Sequence, residues 1–206
     1  MTERLTVAID CDDVLIPTAP AIVDNYNTRF GTKLDLSDLY KPASLERWGT
    51  DDHDEAIERV NEFLRSEDHA RIAPYVDAVT AIRGLAEVHD LHIITGRASF
   101  LEAVTLHMAE TYFPGCFKSI EHTNYITAST DTALKRTKGE VAAALGADLL
   151  VDDHIAHGSN VMEAGVGGVL VFGDYPWNRQ DMLPPGMVRC ENWDIVVREI
   201  ARYAAR

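Results

Sequence analysis

Positive charge is scarce in this chain: 19 lysine and arginine residues stand against 33 aspartate and glutamate residues, a formal net charge of −14. A polyanion is repelled over most of such a surface, which argues against nucleic acid polymers and anionic membranes as partners. A small phosphorylated substrate stays open, because a metal ion or one well-placed lysine reverses the field inside a cleft. Cysteine is scarce as well. Cys11, Cys116 and Cys190 are isolated, odd in number and without CxxC spacing, so neither a disulfide framework nor a zinc cluster is implied, and a reducing cytoplasm fits best. No apolar run reaches the roughly 20 residues of a spanning helix, and acidic residues interrupt the N-terminus before any leader-like apolar stretch forms. There is no internal repeat and no low-complexity tract. The expectation is a soluble, unexported, cytoplasmic protein, with its oligomeric state, a homodimer included, left open.

What is present is ordinary globular material. The 206 residues are 46% hydrophobic and 25% charged, enough for one domain or a domain carrying a modest insertion. Residues 5–9 form a short apolar run that ends abruptly at Asp10, Asp12 and Asp13, the pattern of a buried strand delivering carboxylates at its end. Helical spacing follows over 18–30, with Gly31 as the stop, and again over about 54–65; the stretch DLSDLYKPASLERWGTDD between them is polar and turn-rich. Residues 17–74 therefore read as a small helical insertion closed by Pro74.

Beyond Pro74, strand and helix alternate: helix 75–88, strand 91–94, helix 100–112, strand 117–120, helix 137–145, strand 148–151, helix 155–164, strand 168–172 and a closing helix 194–203. This spacing predicts βαβ units, a mainly parallel sheet and helices on both faces. Ligands of open parallel sheets sit outside the carboxyl ends of strands. Three such ends carry Asp10-Cys11-Asp12, Thr95-Gly96-Arg97 and Asp152-Asp153. Paired carboxylates held that close require a counter-cation, and magnesium suits oxygen ligands with positions left for water and phosphate.

In this order the motifs resemble those of the haloacid dehalogenase-like superfamily: Asp10-Cys11-Asp12 in IDCDDVL, Thr95 in HIITGR, Lys138 in RTKGEVAAALG and Asp152-Asp153 in DLLVDDH, over residues 5 to about 172. The resemblance implies a Rossmann-like α/β core (1–16 and 75–206) with a helical cap (17–74), and a magnesium-dependent phosphomonoester hydrolase. It implies Asp10 as the nucleophile forming an aspartyl phosphate and Asp12 as acid and base. Thr95, Gly96 and Lys138 would bind the phosphoryl group, with Lys138 preferred to Lys135 because it leads the helix feeding the Asp152 strand. Magnesium would be held by the side chains of Asp10 and Asp152 and the backbone carbonyl of Asp12, with Asp153 acting through water or by orienting Lys138. The IDCDDVL and LLVDDH segments, the early insertion and the PWN loop are most similar to the cytosolic 5'-nucleotidase and deoxyribonucleotidase group, which implies a nucleoside monophosphate as substrate. Sugar phosphates are the alternative.

Other readings are weaker. Dehalogenation needs neither metal nor a second carboxylate, so Asp12 argues against it; a phospho-accepting signalling module would place its acidic pair first and has no room for 17–74. Arg97 reads as an exposed arginine, with substrate contact as the alternative, Cys11 as pointing away from the carboxylates, and His154 and His157 as polar residues of a loop and helix start, with a transition-metal site beside the two aspartates as the alternative. Trp177 and Asn178 read as part of a turn with a packed tryptophan. Tyr26, Phe30, Trp48 and Phe63 are the dense apolar material of the insertion; each reads first as packing inside it, with contact to a flat or apolar part of the substrate at the entrance as the alternative.

Overall fold

The computed structural model describes residues 3–39, 45–123, 135–179 and 182–206; residues 40–44 of the turn-rich stretch and residues 180–181 of the loop after the last predicted strand lie outside them. The chain forms an α/β fold built on one six-stranded, all-parallel sheet. Its strands are β1 (Thr6–Ile9), β2 (Asp90–Thr95), β3 (Phe117–His122), β4 (Leu149–Asp152), β5 (Gly168–Phe172) and β6 (Met187–Cys190). The order across the sheet is β3-β2-β1-β4-β5-β6. The chain moves outward from β1 to β3, then returns to the other side of β1. That reversal opens a crevice between the carboxyl ends of β1 and β4. Ile9 pairs with Val151 across the β1–β4 seam, so Asp10 and Asp152 leave the sheet at the same level from adjacent strands.

Both faces of the sheet are covered. Val7, Ile9, Leu149, Val151, Leu170 and Phe172 point into a core shared with α4 (Val76–Val88), α5 (Glu102–Tyr112) and α8 (Trp193–Tyr203). Ala8, Leu150, Val169 and Val171 point the other way, toward α6 (Lys138–Leu145) and α7 (Ile155–Glu163). The period-two alternation explains why the strands read as continuous apolar runs: each side is buried. A fully buried leucine or isoleucine contributes roughly 1.5–3 kcal/mol, so the central strands are the most strongly held part of the chain.

Between β1 and α4 lie α1 (Thr18–Phe30), α2 (His53–Leu64), the short α3 (Glu67–Ala70), and two 3₁₀ turns over Leu36–Leu39 and Leu45–Trp48. α1 stops at Gly31, whose φ of 67° is left-handed and suits a residue without Cβ. α2 starts where the Asp52 side chain accepts from the backbone N–H groups of Asp54 and Glu55. Tyr26 and Phe63 are buried; the Tyr26 ring meets the Trp48 ring edge-on at 5.0 Å, and Phe63 meets His69 at 5.7 Å. Among the described residues no helix is long and apolar enough to cross a membrane.

Sequence periodicity missed β6. It is a four-residue edge strand in which Val188 is exposed and Arg189 half-buried, so its apolar signal is weak. The following helix matters more for the site. Trp193, fully buried at the start of α8, donates its indole N–H to the carbonyl of Val14 at 3.1 Å, pinning the loop after β1. Trp193→Phe keeps most of the packing but strands that buried carbonyl, and should cost about 1–3 kcal/mol in urea unfolding. A loss below about 0.5 kcal/mol would show that the bond is not an anchor.

Candidate active site

Three strand ends and one helix start meet at the crevice. Asp10, one residue past β1, donates its backbone N–H to the Val151 carbonyl at 2.9 Å. Its Oδ1 accepts the Cys11 N–H at 2.8 Å, and its Oδ2 lies 2.8 Å from Lys138 Nζ. Lys138 opens α6, whose N-terminus is fixed by a capping box between Thr137 and Glu140. The same ammonium lies 2.6 Å from Asp152 Oδ2. Asp152 Oδ1 in turn accepts the His154 N–H at 2.8 Å and sits 3.2 Å from His157 Nδ1. Lys135, by contrast, is on the exposed approach to the helix.

These groups are deeply buried: Asp10 is 5% exposed, Lys138 4% and Asp152 0%. Burial pushes the Asp10 carboxyl above the ordinary range; Lys138 offsets part of this and the Asp152 charge adds to it. For Asp152 burial acts upward too, but Lys138 and His157 outweigh it and the carboxylate stays ionised. Burial alone would discharge Lys138, yet the two carboxylates hold it protonated. The three side chains are mutually dependent.

Arg97 corrects the sequence reading. It is 2% exposed rather than solvated, and its guanidinium forks onto Asp12, with Nε 2.9 Å from Oδ2 and Nη2 2.7 Å from Oδ1. Thr18 also donates its hydroxyl to Asp12 Oδ1, and Thr105 Oγ1 accepts from Arg97 Nη1 at 3.0 Å. Burial pushes Asp12 upward, but the charge and hydrogen bonds of Arg97, with help from Thr18, bring it below its usual value. Thr95 ends β2 fully buried, with Oγ1 accepting the Arg97 N–H at 3.2 Å; it braces the turn in which Gly96 faces the cavity. Cys11 is packed in the apolar core.

Two further residues were not recognised from sequence as site partners. Trp177 donates its indole N–H to Asp153 Oδ2 at 2.6 Å, and Asn178 Nδ2 donates to the Asp153 carbonyl at 2.9 Å. Trp177 also stacks between Tyr175 (4.8 Å, 4°) and His154 (5.9 Å, 14°). The turn with a packed tryptophan is therefore the clamp on Asp153. Only a position after a strand's carboxyl end hinted at this; the partner lies 24 residues away.

A cavity of about 390 Å³ opens above these groups. Asp10, Asp12, Arg97 and Lys138 lie along its polar side, while Ile22, Val60, Leu64, Phe100 and Leu101 supply an apolar wall. Tyr26 packs against Phe30 and Trp48, and Phe63 against His69, the internal packing read from the sequence; the wall from residues 17–74 is aliphatic, and the phenyl ring of the wall is Phe100 from the other side. Arg65 lies over that ring at 4.8 Å.

Charge balance decides what the site can hold. Asp10, Asp12, Asp13, Asp152 and Asp153 share it with Lys138 and Arg97, an excess of negative charge where solvation is poor. Asp153 is accordingly pushed well above the ordinary range, by burial first and then by Asp152 and Asp10. Donor atoms of Asp10, Asp152 and His157 all lie within 4.8 Å of one another. A divalent cation fits this donor set and would relieve the excess.

No protein-family model and no curated protein matches the chain in sequence. Solved structures do resemble it. A haloacid dehalogenase (HAD) family hydrolase from Deinococcus radiodurans, with bound phosphate and sodium, is 12% identical over 100% of this chain and 98% of its own, with a TM-score of 0.66. YfnB of Bacillus subtilis, a magnesium-bound HAD-type protein, is 15% identical over 96% and 99%, with a TM-score of 0.64. The L-2-haloacid dehalogenase of Xanthobacter autotrophicus is 13% identical over 96% and 98%, also at 0.64. At such identities the shared property is the fold, here the fold of haloacid dehalogenase-like hydrolases.

Asp13 offers a direct test of the electrostatics. It is the one non-glycine among the described residues with a positive φ, 57°, and its carboxyl caps α1 by accepting the Ala19 N–H at 3.0 Å. Burial raises its pKa to about 8. A carboxyl that holds its proton more tightly when folded gives full stability below the ordinary carboxylate range and loses it as pH rises toward 8. Asn tolerates this backbone region and keeps the acceptor. In chelator, the advantage of Asp13→Asn over the parent should be least near pH 4, at the bottom of that window, and grow steadily toward pH 8; each 1 kcal/mol gained is worth about 2–4 °C. A variant that gains nothing at the higher pH would show that Asp13 is not a buried, costly anion.

Proposed function

We propose that this chain is a phosphomonoester hydrolase working through an aspartyl phosphate on Asp10. The observation that carries the reading is Lys138 bridging Asp10 and Asp152 beneath a cavity at the switch point of the sheet. In the first step an Asp10 carboxylate oxygen attacks phosphorus, and the bond from phosphorus to the ester oxygen breaks, its electron pair leaving with that oxygen. In the second step a water oxygen attacks the same phosphorus and the Asp10 carboxylate departs, giving inorganic phosphate. Lys138 and the turn at Gly96 hold the phosphoryl oxygens, with Thr95 bracing that turn. Asp12 moves the protons. Carrying a proton, it would give that proton to the departing ester oxygen in the first step; left ionised, the form that Arg97 and Thr18 favour, it would take a proton from the attacking water in the second.

Magnesium is the cation we assign: Asp10, Asp152 and the backbone carbonyl of Asp12 would hold it, and when bound it offsets the charge of two approaching anions. Asp153, clamped by Trp177, keeps its role of supporting Lys138 or a bound water. Residues 17–74 act as the cap that excludes water during transfer, since α1 and α2 contribute Ile22, Val60 and Leu64 to the cavity wall. The volume lies in the usual range for small-molecule sites, roughly 300–1,000 Å³. The apolar wall and the Phe100 ring favour a nucleoside monophosphate over a sugar phosphate as the first substrate to test.

Phosphate release from an aryl phosphate should require a divalent cation and fall about 10⁴-fold or more in folded Asp10→Asn. Turnover undiminished in excess chelator, or by that variant, refutes the mechanism. Asp12→Asn should lower hydrolysis of alkyl phosphates by about 10²-fold or more beyond its effect on aryl phosphates, whose leaving groups need less protonation. Equal losses would show that Asp12 does not protonate the leaving oxygen. Sugar phosphates outperforming all nucleotides would overturn the nucleotide assignment and leave the phosphatase standing.

A further inference from the structure

We propose that His157 is a ligand of the cation held at Asp10 and Asp152, so that the site is built for metals that accept nitrogen and not for magnesium alone. The inference rests on the reading of those two aspartates as a cation site. His157 is the third residue of α7, and its ring offers a nitrogen within 4.8 Å of the carboxylate donors. The side chain is 29% exposed and lines the cavity, whereas Asp152 beside it is fully buried. The imidazole therefore faces the place from which an ion arrives.

Local packing fixes that placement. The next residue, Gly158, lies so close to the sheet that an added Cβ would stand 2.9 Å from Val169 Cγ1 and 3.1 Å from Met187 Cε. Glycine lets the first turn of α7 approach β5 and β6, which holds His157 at the carboxyl end of β4. Two carboxylates and one imidazole suit manganese, cobalt or iron(II); magnesium, which takes oxygen ligands, would leave the imidazole unused. The competing role is that His157 only steadies Asp152 through the 3.2 Å contact. The two roles differ in a measurable way. A positioning residue affects every metal alike, while a nitrogen ligand affects the nitrogen-accepting metals most.

Absolute preference decides nothing, because an all-oxygen site also binds cobalt more tightly than magnesium. The diagnostic is the dependence on His157. Metal-stripped protein is titrated with cobalt(II) and with magnesium by calorimetry, without substrate, as the parent chain, as His157→Gln and as His157→Ala. The expected result is a loss of at least about 10-fold in cobalt affinity with altered cobalt(II) visible absorption, against a magnesium affinity held within about 3-fold. Equal losses for both metals, or unchanged cobalt binding, overturn the proposal. Should the variants misfold, the parent chain labelled with ¹⁵N-histidine and loaded with manganese(II) decides: pulsed EPR shows a histidine nitrogen coupling if the proposal holds, and its absence refutes it. The phosphatase reading fails separately, if no metal supports phosphate release.

Discussion

The interaction on which the rest depends is the ammonium of Lys138 set between Asp10 and Asp152, 2.8 and 2.6 Å away. Adjacent parallel strands ending at one level bring two carboxylates into a place with almost no water. An isolated buried carboxylate takes up a proton, and a pair of them repel. One cation between them keeps Asp152 ionised, and only a partner delivered by a rigid element can stay there. That is why the lysine opens a capped helix and does not sit on a loop. Removing the lysine alone would leave two uncompensated charges, which costs more than the bridge contributes.

The same logic recurs at each neighbouring acid. Asp12 has the fork of Arg97, and Asp153 has the Trp177 indole. Asp13 has the backbone N–H of Ala19 at the first turn of α1. The loop that carries Asp12 and Asp13 is tied from three distant parts of the chain: Trp193 holds the Val14 carbonyl, the Tyr175 hydroxyl donates to the Asp13 carbonyl at 2.7 Å, and the Tyr75 N–H donates to the Leu15 carbonyl at 3.0 Å. Polar backbone in a buried loop must be satisfied somewhere. Here its satisfaction also removes freedom from Asp10 and Asp12, the preorganisation that the proposed phosphoryl transfer would demand.

The parallel sheet was legible in the sequence because strands buried on both faces read as short apolar runs, and because Asp10, Thr95 and Asp152 each follow such a run. Lys138 was legible from its position at a helix start. Arg97 was not. Arginine is usually solvated, and nothing near HIITGR announces a carboxylate 85 positions away. The Trp177–Asp153 bond is hidden for the same reason: it joins two loops through side chains that sequence periodicity does not relate. β6 escaped because an edge strand with one polar face carries half the apolar signal of a central one. The aromatic residues of 17–74 were legible as packing material. Tyr26, Trp48 and Phe63 are needed to give a small helical unit an interior, which left its aliphatic residues to face the cavity.

Beside the Thr18–Asp12 bond, a second side-chain contact joins residues 17–74 to the site. His69, on α3, is 2% exposed with Nε2 3.5 Å from Arg97 Nη2. Burial, reinforced by the Arg97 charge, lowers its pKa to about 4, so the ring is neutral at physiological pH and can accept from the guanidinium. A charged histidine there would oppose Arg97 and loosen its grip on Asp12. A neutral one covers the guanidinium side of the pair, leaving Asp12, 27% exposed, open to the cavity; burying one partner strengthens the pair relative to a fully solvated one. The strength of the Arg97–Asp12 bond therefore depends on residues 17–74 being seated on the core. The segment that walls the cavity therefore touches both partners of that pair, Asp12 through Thr18 and Arg97 through His69, so the shape of the cavity and the state of the carboxylate held by the Arg97 fork depend on the same contacts.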